Sequence, residues 1–116
     1  MKIIVSGLHL KKFPELEEYA QKRVAKLSKY HPKIEMINVR LISKKSHRGQ
    51  ENDYYCEIEV DIPKNNLVIV DTEREMDKAI DRAVERMKRQ IVKIKNKEIS
   101  KKHKEGLLTK YRNRFF

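Results

Sequence analysis

Lysine and arginine side chains recur at regular intervals in the C-terminal third of the chain. Residues 78–116 contain 14 Lys or Arg and 4 Asp or Glu, so most of the net charge of +11 comes from this part. Successive residues of a helix lie about 100° apart, which places six cations in one sector: Lys78, Arg82, Arg86, Arg89, Lys93 and Lys97. Such a row is typical of a surface that binds the phosphates of a polyanion, and nucleic acid is the leading candidate.

The helix that carries these cations is predicted from apolar residues at intervals of three and four. The apolar stripe lies opposite the cations over residues 76–97, and its members are Met76, Ile80, Ala83, Val84, Met87, Ile91 and Ile94. Asp77, Asp81 and Glu85 fall on a flank between stripe and cations. A solvated helix usually alternates Glu with Lys, whereas residues 86–97 contain no acid. We therefore favour a binding surface over an ordinary solvated face.

The other apolar patterns predict an α+β domain of order β-α-β-β-β-α. We expect strands at residues 2–6, 35–44, 54–62 and 67–70, and helices at residues 14–29 and 76–97. Thr72 and Glu75 have the spacing of a capping box that would open the second helix. A four-stranded sheet with both helices packed on one face buries every apolar stripe.

The first helix adds a second group of cations. Pro14 suits its first turn, whereas Phe13 is a poor cap, so packing of Phe13 is expected to hold this helix start. The cations share one exposed sector and its flank: Lys22, Lys26 and Lys29, with Arg23 beside them. Two helices side by side on the sheet are expected to merge their cations into one basic surface.

The opposite face of the sheet is predicted to be acidic. The strand at residues 54–62 alternates strictly, and Glu57, Glu59 and Asp61 point away from its apolar side. These carboxylates would repel phosphates, so binding is predicted to use the helices. Tyr55 is the one aromatic residue on this side of the strand, which argues against bases stacking on the sheet as in an RNA-recognition motif.

Length and composition indicate one core domain in a reducing compartment. A chain of 116 residues can bury a real core, and the single Cys56 excludes an intramolecular disulfide. The chain has no apolar run long enough to span a bilayer, and we expect a cytoplasmic protein. A basic chain also suits an anionic membrane surface, but the last helix's stripe lacks the Trp and Phe of lipid-binding helices.

Residues that could catalyse a reaction or hold a metal are few. The histidines show no ligand spacing and are interpreted as surface residues: His9, His31, His47 and His103. Cys56 is interior by alternation, which favours a packed thiol over a nucleophile. We predict no catalytic residue, no metal and no cofactor. A small nuclease that uses Glu57 and Glu59 is the weakest alternative.

The segment at residues 98–116 differs in character from the preceding helix. Its Lys and Arg residues mingle with Tyr111, Phe115 and Phe116, and Gly106 interrupts the helical pattern. We predict a core domain at residues 1–97 followed by a basic, mobile tail. Such a tail could follow a single-stranded path and stack on bases, or Phe115 and Phe116 could dock on a protein. The sequence leaves both open.

Several of these residues also form a family pattern. The chain has Ile-x-x-x-Gly at residues 3–7, Pro-x-Leu-x-x-Tyr at 14–19 and Met-Asp-Lys-Ala-Ile-Asp at 76–81, with Arg-Gln-Ile-x-Lys-x-Lys at 89–95. By these motifs residues 1–97 resemble the ribosome hibernation promoting factor family, also called ribosome-associated inhibitors or ribosomal subunit interface proteins. The resemblance is to the short form, which lacks the separate C-terminal dimerisation domain of the long form.

This resemblance implies a double-stranded-RNA-binding-domain-like fold and binding to the small ribosomal subunit, in the channel for tRNA and mRNA. Translation would be blocked and the ribosome preserved during stress. Residues that match rRNA contacts of the family are Arg23, Lys26, Lys29, Arg86, Arg89 and Lys93. Four further candidates come from their helical sectors: Lys22, Lys78, Arg82 and Lys97.

Other features of the partner stay open at this stage. We expect a monomer away from the ribosome, with no small-molecule substrate and no membrane partner. Whether ribosomes are paired or only silenced singly does not follow from the sequence. The alternative function is a general RNA-binding protein or RNA chaperone without ribosome preference.

Overall fold

The structure is a computed structural model that describes the backbone of residues 1–45 and 52–115, and the side chains of residues 1–45 and 53–102. Its strands are β1 (Lys2–Leu8), β2 (Met36–Lys45), β3 (Asn52–Ile62) and β4 (Asn65–Glu73). Its helices are α1 (Phe13–Ala25), which continues into a 3₁₀ turn at Lys26–Lys29, and α2 (Met76–Phe115). The order β-α-β-β-β-α and the predicted fold class are confirmed.

The four strands form one mixed sheet in the order β1-β2-β3-β4. β1 pairs with β2 in parallel through the α1 crossover, and the other neighbours are antiparallel hairpins. The turn between β3 and β4 is only Pro63 and Lys64, and Lys64 adopts a φ of 70° in the left-handed region. Both helices pack on the same face of the sheet and leave the other face open.

The core lies between the helices and the inner face of the sheet. Alternate residues of β3 are fully buried, which confirms its predicted period of two. The stripe of α2 packs against them at its predicted interval of three and four. Fully buried members include Ile37, Val39, Leu41, Cys56, Ile58, Val60, Ile80, Ala83, Met87 and Ile91.

The start of α1 is held by packing, as predicted. Its cap residue Lys12 makes no side-chain hydrogen bond to the helix end. Phe13 packs instead against the core, over Gly7, and its ring occupies the space that a side chain at Gly7 would need. Apolar contact therefore replaces capping here, and the first backbone N–H groups of α1 have no side-chain cap.

The predicted start of α2 at Met76 is confirmed, but the predicted capping box before it is wrong. Thr72 belongs to β4, and the helix begins at Met76, so Thr72 and Glu75 form no capping box. The reason is strand pairing, because the ladder between β3 and β4 continues to the pair Tyr54 and Glu73. Backbone hydrogen bonds across the sheet hold this segment extended past the point at which a helix could begin.

The predicted end of α2 near Lys97 is also wrong, since the helix continues to Phe115 through Gly106. A glycine inside a helix costs only about 1 kcal/mol relative to alanine, and its neighbours Glu105 and Leu107 favour helix. No helix within the described part of the chain is apolar enough over its length to cross a bilayer. A mobile tail at residues 98–116, separate from residues 1–97, stays a prediction.

His31 corrects the view of the histidines as surface residues, because it is only 2% exposed. Its Nδ1 accepts a hydrogen bond from the Lys33 N–H at 3.0 Å, so the proton lies on Nε2. Nε2 in turn donates to Glu98 Oε2 at 3.0 Å. His31 thus ties the chain after α1 to α2 at the point where α2 leaves the sheet.

We expect Ile91→Ala to lower the free energy of unfolding by about 2–4 kcal/mol, because it leaves a cavity in a fully buried position. Ile99 is the matched control on the same helix, since it is 54% exposed, and Ile99→Ala should change stability by less than about 1 kcal/mol. Urea unfolding of both variants measures the difference. Equal losses would contradict the assignment of the stripe to the core.

Candidate nucleic-acid interface

The two helices run side by side in the same direction. Arg23 Nε lies 3.0 Å from Asp81 Oδ1, and the Tyr19 hydroxyl donates to the same oxygen at 2.5 Å. Further along, Lys88 Nζ lies 5.2 Å from the centre of the Tyr30 ring. The hydrogen bond to Asp81 raises the pKa of Tyr19. The seam between the helices therefore holds an acid near its start and a cation near its end.

Six of the ten predicted site cations lie against carboxylates. The pairs are Lys22 with Glu18, Arg23 with Asp81, Lys78 with Glu75, Arg82 with Glu73, Arg86 with Asp71, and Arg89 with Glu85. The prediction of missing counter-charge over residues 86–97 is wrong for Arg86 and Arg89. Their acids lie outside that segment, at Asp71 on β4 and at Glu85 one turn earlier on α2.

Asp71 is the centre of the strongest of these clusters. It is 6% exposed, and its Oδ1 lies 2.7 Å from Arg86 Nη1 and 3.7 Å from Arg82 Nε. Glu73 Oε1 accepts from Arg82 Nη1 at 2.8 Å, which raises the pKa of Arg82. Arg86 Nη1 also lies 3.3 Å from the Val70 carbonyl oxygen. The two arginines thus bind α2 to the outer strand of the sheet.

The remaining four predicted cations have no ion pair or hydrogen bond within residues 1–45 and 53–102: Lys26, Lys29, Lys93 and Lys97. All four are exposed. They lie at or after the C-terminal end of α1 and beyond the paired arginines of α2. Lys88, which the sequence prediction omitted, adds a cation to the seam between these two groups. The part of the helical layer with the most available positive charge is therefore distant from the helix starts.

The open face of the sheet carries the predicted acids, but they are partly neutralised. Arg40 Nη1 lies 2.7 Å from Glu57 Oε1, and Arg40 Nη2 lies 4.0 Å from Glu59 Oε1. The Asn66 amide donates to Glu59 at 3.2 Å and also to Asp61. Cross-strand register explains the first contact, because Arg40 pairs directly with Glu57.

Cys56 is fully buried, as its alternation predicted. Burial, with smaller effects from Asp71 and Glu57, raises the pKa of its thiol to about 12. Since the thiolate is the reactive form of cysteine, this side chain is a packing residue in the folded protein.

Comparison with known proteins places the chain in a family. The family model described as "Sigma 54 modulation protein / S30EA ribosomal protein" matches residues 3–99, and the chain belongs to this family. Ribosome-associated factor Y of Haemophilus influenzae is 28% identical over 100 residues, which cover 86% of this chain and 88% of that protein. The resemblance inferred from the sequence motifs is confirmed.

Two solved structures have the same fold. The N-terminal domain of Thermus thermophilus Protein Y is 27% identical, with a TM-score of 0.67 over 81% of this chain and 99% of that one. A ribosomal subunit interface protein from Coxiella burnetii gives a TM-score of 0.71 over 83% of this chain and 99% of that one. Its identity is 19%, so this second likeness supports the fold alone.

We expect Arg86→Ala to destabilise the fold by about 1–3 kcal/mol, because it leaves the buried Asp71 carboxylate without its nearest partner. Lys93→Ala removes an exposed, unpaired cation of the same helix and should change stability by less than about 0.5 kcal/mol. Urea unfolding at neutral pH measures both. If the two variants unfold at the same urea concentration, Arg86 has no structural role.

Proposed function

We propose that this protein binds the small ribosomal subunit in the channel for tRNA and mRNA and so holds the ribosome inactive under stress. The observation that carries this proposal is the group of exposed, unpaired lysines on the helical layer: Lys26, Lys29, Lys93 and Lys97. Membership of a family with ribosome-associated relatives supports the ribosome as partner.

Unpaired lysines are better phosphate ligands here than paired arginines. Arg86 would have to leave the buried Asp71 carboxylate, 2.7 Å away, to contact rRNA fully. Lys93 and Lys97 lose no internal partner when they contact a phosphate, and contact releases counterions from the RNA. We therefore propose that the lysines supply most of the affinity. The paired cations contribute less to phosphate binding, because the carboxylate beside each one offsets part of its charge. These cations are Lys22, Arg23, Lys78, Arg82, Arg86 and Arg89.

The proposed mechanism is occlusion. Phosphate contacts fix orientation without reading base sequence, so the shape of the domain would select the channel. The acidic residues of the open face, Glu57, Glu59 and Asp61, would turn that face away from rRNA. A bound domain in the channel would exclude tRNA and mRNA by volume, which requires no cofactor. With the ribosome as its partner, the protein is proposed to act in the cytoplasm. We also propose that it is monomeric away from the ribosome.

Sedimentation of a cell extract that contains the tagged protein tests the choice of partner. We expect the protein to migrate with small subunits and whole ribosomes, and added tRNA with mRNA to displace it. A spread over all RNA fractions would contradict ribosome preference and would indicate a general RNA-binding protein. Loss of all RNA association would contradict the proposal as a whole.

Salt dependence tests the proposed lysines. We expect Lys26→Gln, Lys29→Gln, Lys93→Gln and Lys97→Gln together to lower the slope of log affinity against log salt by about 3, since each phosphate contact contributes roughly 0.7–0.9. The control replaces two exposed lysines at the other end of the sheet by Gln, Lys44 and Lys45, and should leave the slope unchanged. Binding of both variants to purified small subunits over a salt series gives the slopes. Equal slopes would remove the four lysines from the interface.

A further inference from the structure

A cleft of about 720 Å3 lies at the end of the domain where both helices begin. It is therefore at the opposite end of the helical layer from the unpaired lysines. Its apolar wall is formed by Leu10, Leu16, Tyr54 and Met76. Clefts of roughly 300–1,000 Å3 with a mainly apolar lining are the usual size and character of small-molecule sites.

Ser43 gives this cleft a polar group that lacks a protein partner. The residue lines the cleft and is 7% exposed, yet its hydroxyl makes no hydrogen bond within the part of the chain whose side chains are described. The Ser43 oxygen is not one of the fully buried atoms without a partner, so it is accessible from the cleft and can hydrogen-bond to a ligand there.

The start of α1 supplies a second polar element. Its cap residue Lys12 makes no side-chain bond to the helix end, because Phe13 packs into the core instead. Unsatisfied N–H groups and the helix dipole at such an end favour an anion. Lys11 and Lys12, which both line the cleft, add two cations beside it.

The rim of the cleft carries charges of both signs, and some of them are paired. Glu75 is engaged by Lys78 Nζ at 3.3 Å, and Asp77 Oδ1 accepts from the Lys78 N–H at 2.9 Å. Within residues 1–45 and 53–102, Lys11 and Lys12 have no partner, and no cation pairs with Glu15 or Asp77. The two lysines are adjacent in sequence at the start of α1, so the positive part of the rim lies there, where an anionic group would bind.

We propose that this cleft binds one unpaired nucleotide, with its phosphate at the start of α1 and its base against Tyr54 and Leu16. Ser43 would hydrogen-bond to the base edge or the sugar. Aromatic and apolar contact with a base tolerates any sequence, which suits a protein that binds RNA mainly through phosphates. The proposal rests on the proposed function in naming RNA as the source of the nucleotide.

Titration of the full chain with 5′-AMP, followed by NMR, tests the site. We expect chemical-shift changes at Ser43, Tyr54 and Leu16, and weaker changes there with inorganic phosphate alone. Lys11→Gln with Lys12→Gln should weaken 5′-AMP binding roughly fivefold or more. The control, Lys2→Gln with Lys64→Gln, removes the same charge from the other end of the sheet and should leave the affinity unchanged.

Three results would overturn the site. The first is 5′-AMP-induced chemical-shift changes that are confined to the lysines at the other end of the helical layer: Lys26, Lys29, Lys93 and Lys97. The second is equal binding of inorganic phosphate and 5′-AMP, which would mean that the base is not recognised. The third is binding of an arginine-rich peptide in the cleft without any binding of 5′-AMP, which would assign the cleft to a protein partner.

Competition with a short single-stranded RNA tests whether the bound nucleotide belongs to RNA or is a free nucleotide. If RNA is the source, it should compete with 5′-AMP for the cleft, and Lys11→Gln with Lys12→Gln should lower its salt slope by about 1. An RNA that binds without displacing 5′-AMP would contradict RNA as the source.

Ribosome sedimentation and 5′-AMP titration of the wild-type protein, taken together, separate this inference from the proposed function. Wild-type protein that binds ribosomes but not 5′-AMP contradicts only the cleft, and protein that binds 5′-AMP but no ribosome contradicts only the proposed function.

Discussion

The ion pair between Asp71 and Arg86 fixes how α2 sits on the sheet. A carboxylate that is 6% exposed needs a cation close by, and the nearest is Arg86, 2.7 Å away on α2. Apolar packing would tolerate small rotations of the helix about its axis, whereas the buried Asp71 carboxylate tolerates only those that keep the half-exposed Arg86 guanidinium beside it. The rotation of α2 decides which cations meet solvent, so the composition of the binding surface follows from this contact.

Once the rotation of α2 about its axis is fixed, its cations fall into two groups with different roles. Arg82 and Arg86 join the helix to β4, while Lys93 and Lys97 extend into solvent and have no partner among the described side chains. The C-terminal part of the helical layer then has available charge for phosphates, and the helix starts carry the cleft beside Ser43. An RNA that contacts both would lie along the helices, over the whole length of the domain.

The sequence predicted the features that depend on local period. Alternation in β3 and the three-and-four spacing in α2 gave the buried residues, because each element needs one apolar face. Contacts between distant segments were not predictable in the same way. The partner of Arg86 is fifteen positions away on a strand, and the partner of His31 is Glu98. The capping box failed because strand pairing with β3 competes with helix formation at Thr72.

Directed cleavage of rRNA tests the central claim, which is that the helical layer faces the tRNA and mRNA channel of the small subunit. Cys56 is buried with a thiol pKa of about 12, so a cysteine introduced by Lys93→Cys can be labelled selectively with an iron chelate. Hydroxyl radicals from position 93 should cleave rRNA that lines the channel. A chelate at Val68→Cys, an exposed site on the open sheet face, should give little cleavage there. Cleavage of the same nucleotides from both positions, or cuts scattered over the subunit, would contradict the account.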